Sequence, residues 1–529
     1  MIFHPLYCLV IPFALSTVAE CSVAAPPGEL VLAKALEDFV NGLATIDFHE
    51  DSVIAVDDAN RRLGNAENDT SFDTYFSFMP RYLTTLRGDT LTQSFEGRCF
   101  KEISISSALV GSALTISVGC YNPISWFCEE TLIFGNADEF ISKTMLMKGV
   151  KKFVWPSGGR IPFDEKVHVF DFRIPLATAL TAVPTTLLYL KSRSNVMGFL
   201  ARFAKIVMDK RDNEITVSLG EIDAAPGDVF LLTQQHGLES TILVLGGSLV
   251  DHVATVLRDP TTDELYVVES DRAGVSKLPL KDYIAANSGR YKNLVHLPLG
   301  ERYRKSFDND KAWQLFVDVF EGFDYGWESF FFAGVDTRED NYPCLPMDGF
   351  KTCLTWQLLE VILGFMERYK VTKGKLEQYF LQGFRHRLNT TEKLNLSQLI
   401  KIADATLPGG AATLPTIPER DEWLYDKKRF GVPTRGPARV CSAMACEMLR
   451  AGGALGDKTL NCAEFSPFDI YSLNIFNDSS PNQLSGQHTL NLSKPYILRA
   501  SQRSVTDGMA ERCESRITEH SFYSRSTNC

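Results

Sequence analysis

The 529-residue sequence predicts an α+β protein, an antiparallel sheet beside a cysteine-bearing helix, preceded by a mixed accessory domain. Three observations carry that expectation. HVATVLRD and LYVVES are strand-like runs on either side of a turn-forming DPTTDE, Asp259 to Glu264. CSAMACEMLRAGG opens at Cys441 and places Met444, Ala445, Met448 and Leu449 on one helical stripe, with Gly452 and Gly453 where a helix should stop. KEISISSALVGSALTISVGC alternates in part, as strands do.

Taken in chain order, MIFHPLYCLVIPFALSTVAECSVAAPPG is apolar and then rich in small residues, so residues 1–24 read as a signal peptide cleaved after Ala19 or Ala24. An uncleaved anchor is the alternative, disfavoured by Pro5, Pro12 and the short apolar span. Residues 25–165 read as an accessory domain, mixed in pattern and open to a β-rich reading, with LVLAKALEDFVNGLATI as an opening helix. A helical connector is expected over 166–223, with NVMGFLARFAKIVMDK its clearest amphipathic helix. Ile174 to Leu190 is apolar but carries Thr and Pro, so it is expected in a buried helix or linker. The sheet-and-helix domain is expected over 224–478, interrupted by a large insertion at about 300–430 in which Trp356 to Tyr369 and SQLIKIADA are helices. The tail, 479–529, is polar and weakly periodic and reads as mobile.

Composition narrows the function classes. With 45% hydrophobic and 22% charged residues the chain can bury a large core. A net charge of −11 argues against bulk nucleic-acid binding and against attraction to anionic membranes. The sequence has no phosphate loop, no HExxH and no zinc-type Cys/His spacing, so neither a cofactor nor a metal is expected. The sequons at Asn68, Asn389, Asn395, Asn477 and Asn491 agree with export, as do the 12 cysteines if several pair.

The candidate chemistry lies in His252, Glu269 and Cys441. A thiol, an imidazole and a carboxylate are what cysteine acyl transfer requires. In antiparallel strands joined by a short turn, a turn centred on Pro260 and Thr261 pairs His252 with Glu269, and one centred on Thr261 and Thr262 leaves them diagonal on the same face. A three-residue loop would separate them. Cys441 follows the breaker-rich GVPTRGPARV and opens a helix, where unpaired amides favour a thiolate and offer oxyanion donors. Cys446 turns away from Cys441 and reads as core or disulfide, while Cys344 and Cys353 read as a local pair or buried thiols. Cys462, in NCAEF, is the competing nucleophile, but Ser466-Pro467-Phe468-Asp469 starts the helix after it. Aromatics at Phe323, Tyr325, Trp327 and Phe330 to Phe332 suit either a cleft wall or insertion core.

From Gly227 to Phe476 the sequence resembles the circularly permuted papain-like cysteine hydrolases of the YiiX/YaeF type, related to NlpC peptidases. The resemblance rests on GDVFLL, GSLVDHVATVLRD, LYVVES, RVCSAMACEMLRAGG and EFSPFDIYSL. YGWESFFFAGVDTREDNYP and FRHRL resemble a larger eukaryotic branch. It implies a permuted papain-like core, with Cys441 as nucleophile, His252 as base and Glu269 as third polar residue. The expected activity is an exported, secreted or luminal hydrolase that cleaves a peptide or N-acyl amide through an acyl-enzyme. Two alternatives stand: a lipid ester hydrolase or acyltransferase using the same residues, and a non-catalytic glycosylated binding protein on a hydrolase scaffold. No stable membrane span is expected.

Overall fold

The computed structural model describes residues between 80 and 489, apart from 125–129, 156–165, 173–208, 211–222, 234–250, 288–292, 336–344, 371–374, 457–460, 477–481 and some shorter stretches. The expected signal peptide, the opening helix, the apolar run 174–190, Asn68, Asn477, Asn491, Cys344 and Cys353 lie outside the described residues. The chain is a mixed α+β protein with several antiparallel sheets.

Among the described residues up to Phe172 the regular structure is all β. Strands β1 (Arg81–Arg87), β2 (Thr90–Phe95), β3 (Phe100–Val110), β4 (Ala113–Pro123), β5 (Glu130–Gly135), β6 (Phe140–Met145), β7 (Gly149–Val154) and β8 (Lys166–Phe172) form two four-stranded sheets, β1-β8-β5-β6 and β2-β3-β4-β7. Alternation explains the packing. Ile103, Ile105, Ile116 and Val118 from one sheet and Leu132, Phe134, Val167 and Val169 from the other share one core. Strand β8 corrects the expected connector, because KVHVFDF alternates at period two and its backbone pairs with both β1 and β5. The strand β9 (Asp209–Lys210) likewise replaces the end of the amphipathic run.

A separate six-stranded sheet uses β10 (Val229–Thr233), β11 (His252–Arg258), β12 (Leu265–Asp271), β13 (Gly274–Pro279), β14 (Asn293–Leu297) and later β19, in the order β13-β12-β11-β10-β14-β19. Thr255 pairs with Val268 and Arg258 with Leu265, the register centred on Thr261 and Thr262. One face carries Val229, Leu231 and Val253, packed under the Cys441 helix through Ala445, Cys446 and Leu449. The other carries Phe230, Leu232, Ala254, Val256 and Val267, packed on Tyr283 from helix α1 (Leu280–Asn287).

Between β14 and Cys441 come α2 (Glu301–Ser306), α3 (Asn309–Leu315), α4 (Trp327–Val335), strands β15 (Leu345–Met347) and β16 (Phe350–Thr352), then α5 (Trp356–Tyr369), α6 (Gln382–Arg387) and α7 (Leu396–Thr406). Helix α5 has the predicted limits, with the Thr355 side chain accepting from Leu358 N at its start. Helix α7 starts with a reciprocal capping box of Asn395 and Gln398. Hairpin β17 (Tyr425–Arg429) and β18 (Val432–Gly436) leads into α8 (Cys441–Ala451). The described residues of the tail form two short strands. Strand β19 (Asn482–Ser485) pairs with β14, and β20 (His488–Thr489) with β9. An open sheet edge recruits chain through backbone groups, which needs no apolar periodicity. Among the described residues no helix is long and apolar enough to cross a membrane.

Candidate active site

Strand parity places His252 and Glu269 together. Their side chains share the Tyr283 face of the sheet, and His252 Nε2 lies 2.7 Å from Glu269 Oε2. A carboxylate only accepts, so Nε2 donates to Glu269. The Tyr283 hydroxyl donates to the same Oε2 at 3.0 Å. All three are buried, and the Tyr283 ring stacks on Phe230. Sequence reasoning missed Tyr283. It comes from a short helix beyond β13, and only the β12–β13 pairing brings that helix under Glu269.

Cys441 is the first residue of α8, with an extended Val440 before it. Its thiol is free and the residue is buried. The helix lies on the face opposite the His252–Glu269 pair, against Val253 on one side and Leu257 and Val268 on the other. Ser270 Oγ donates to Arg439 O at 2.8 Å, which fixes the lead-in to Cys441 near the end of the sheet where β11 starts and β12 finishes. Among the described residues no hydrogen bond joins Cys441 to His252. The carboxylate and imidazole are thus assembled, and the thiol is held separately at the same end of the sheet.

Several groups lock that lead-in. Gly326 lies so close that a Cβ there would come within 2.5 Å of the Arg439 backbone, and Gly326 N donates to Arg439 O. Ser329 Oγ donates to Ala438 O at 2.9 Å. Tyr325, Val440 and Ala443 pack together, with Trp327 and Phe330 against them. This part of the aromatic run therefore walls the Cys441 segment, whereas Phe323 and Phe332 belong to separate core clusters. Lys427 Nζ reaches Tyr325 O and, buried, Glu328 Oε2, both at 2.9 Å. Burial pushes the Glu328 carboxyl above its ordinary range, against the pull of Lys427.

The helix is clamped from below. Cys446 and Cys462 form a disulfide, so Cys462 holds the helix and is not a free thiol. Cys462 opens a short 3₁₀ turn, Cys462–Glu464, ahead of the helical Pro467. Arg439 Nη2 donates to Glu447 Oε1 at 3.0 Å, and Arg450 Nη1 to Asp421 Oδ2 at 2.6 Å. Asp421 also accepts from Cys462 N and Ala463 N. Asp421, Glu447 and Cys462 lie close enough to suggest a metal cluster. Their charges are met by arginines and amides and the sulfur is bonded, so we read them as a structural network.

The sequons at Asn389 and Asn395 are exposed. Asn389 stands at φ 51°, just after α6, beside a cleft that includes Arg385, His386, Trp423 and Arg435. Compared with protein-family models, curated proteins and solved structures, the chain matches none.

Proposed function

We propose that the protein is an exported cysteine hydrolase with a permuted papain-like core, acting on an amide bond. The observation that carries this reading is the buried Tyr283–Glu269–His252 chain, standing at the sheet end where Ser270 anchors the segment leading to Cys441.

In this reading His252 Nδ1 takes the Cys441 proton, and Sγ attacks the acyl carbon as the carbonyl electrons move to oxygen. Amides of the first turn of α8 receive that oxyanion. Collapse of the intermediate breaks the C–N bond, His252 returns the proton to the departing amine, and a thioester remains on Cys441. Water, deprotonated by the same imidazole, releases the acid and restores the thiol. Proton transfer needs a separation of about 3 Å, so substrate binding must bring the imidazole and the thiol together around the start of β11.

The opposite-face arrangement favours a second reading, a binding protein on a hydrolase scaffold. A panel of acyl amides and esters separates the two. The hydrolase reading expects turnover that Cys441→Ala abolishes and Cys462→Ala largely spares; no turnover by the folded wild-type chain on any member would favour the binding reading.

A further inference from the structure

The turn of the β17–β18 hairpin is built against its own backbone preference. Phe430 and Gly431 are its two central residues, closed by the Arg429–Val432 pair, with φ of 49° and 79°. That mirror-image turn suits strand twist and is normally filled by Asn, Asp or Gly, since positive φ costs an ordinary side chain conformational energy. Burial does not offset the cost. Phe430 is 69% exposed and Val432 63% exposed.

The tip is nevertheless held firmly. One side of the Phe430 ring rests on Gly322, where a Cβ would come within 2.4 Å of it. Phe430 N donates to Gly322 O at 2.7 Å, and Arg429 donates to the carbonyls of Val317, Asp318 and Glu321. A rigid, strained loop therefore presents an apolar pair to solvent. Its flanks are basic in an acidic chain of net charge −11: Tyr425 to Gly436 contains Lys427, Lys428, Arg429 and Arg435 against Asp426. Lys427 is buried on Glu328, while Lys428 and Arg435 are exposed.

We propose that the Phe430–Val432 tip docks the protein on an anionic lipid surface, the apolar pair entering the headgroup boundary and Lys428 and Arg435 meeting lipid phosphates. The hairpin's last residue, Gly436, is five positions ahead of Cys441. Docking would bring a bilayer to the candidate site and favour an acyl lipid as substrate, a consequence that rests on the hydrolase reading; the docking itself does not.

Co-sedimentation of the full chain with phosphatidylcholine vesicles, with and without phosphatidylserine, tests this. Binding should appear with phosphatidylserine and weaken with salt. Phe430→Asn suits the turn better, so its melting temperature should hold or rise while vesicle affinity falls on the order of tenfold or more. Lys428→Glu should cost roughly fivefold or more, on anionic vesicles only. No sedimentation with either vesicle, unchanged affinity in Phe430→Asn, or tip-dependent self-association without vesicle binding would overturn the proposal. Turnover of a short soluble acyl substrate, which Phe430→Asn should leave intact, is read in parallel. Vesicle binding without any turnover would sink the hydrolase reading and leave docking standing.

Discussion

His252 and Tyr283 meet Glu269 at a single oxygen, so under the proposed mechanism the effects of changing them should not add. Glu269 Oε2 accepts from both the imidazole and the phenol. Glu269→Gln keeps the shape but cannot stabilise an imidazolium equally well, so kcat should fall about ten- to ten-thousand-fold with little change in KM. Tyr283→Phe removes one donor and leaves the ring stacked, so a smaller loss is expected, and adding it to Glu269→Gln should change little further. Steady-state kinetics of the two single variants and the double variant check this; additive losses would mean that Tyr283 supports the fold rather than the carboxylate. Among the described residues the free thiols of Cys120 and Cys441 differ as well. Burial and the nearby Glu130 carboxylate push the Cys120 thiol up to about 11, so it should resist alkylation at pH 8. Iodoacetamide followed by peptide mass spectrometry should find Cys441 modified first.

At the scale of elements, the helix bearing Cys441 depends on contacts outside itself. The Cys446–Cys462 bond closes a loop of sequence separation 16, worth about 3 kcal/mol by loop entropy. Cys462→Ala, with Cys446→Ala to avoid a stray thiol, should lower stability by that order in denaturant titration. Under the proposed mechanism neither sulfur takes part, so turnover at low temperature should largely survive. Gly326→Ala is the complementary case. Its methyl would press on the Arg439 backbone and shift the lead-in to Cys441, costing about 1–3 kcal/mol and lowering kcat in a chain that still folds. Full activity in Gly326→Ala would show that the lead-in tolerates displacement.

Across the whole molecule, the parts legible in the sequence are those with strong local patterns. The shared face of His252 and Glu269 followed from the turn residues and parity, the observed register being one of the two the turn allowed, α8 from its apolar stripe and terminal glycines, and the strand character of β3 and β4 from partial alternation. What could not be read was set by chain far away. The face of the sheet on which α8 settles depends on Val253, Leu257 and Val268 meeting Met444, Ala445 and Met448, a choice no single segment records. Strand β19 is polar and joins through its backbone, and Tyr283 reaches Glu269 only after β13 has paired. The insertion adds a pH dependence. Burial holds His386 below the ordinary imidazole value of 6.5, with its Nε2–H donating to Leu424 O and its ring stacked on Trp423. The unfolded chain then binds the proton more readily, so this contribution to stability is present above 6.5 and is lost as pH falls through the lowered value. Melting temperatures between pH 7 and pH 5 should decline less steeply in His386→Phe than in the native chain.

If Cys441 is a nucleophile served by His252, its thioester can be trapped: the protein is mixed with a slowly deacylating activated acyl substrate, quenched in acid, and its adduct located by peptide mass spectrometry. One acyl group is expected on Cys441, forming at least tenfold more slowly in a folded His252→Ala variant. An adduct elsewhere, or one formed on Cys441 at the same rate without His252, would contradict it.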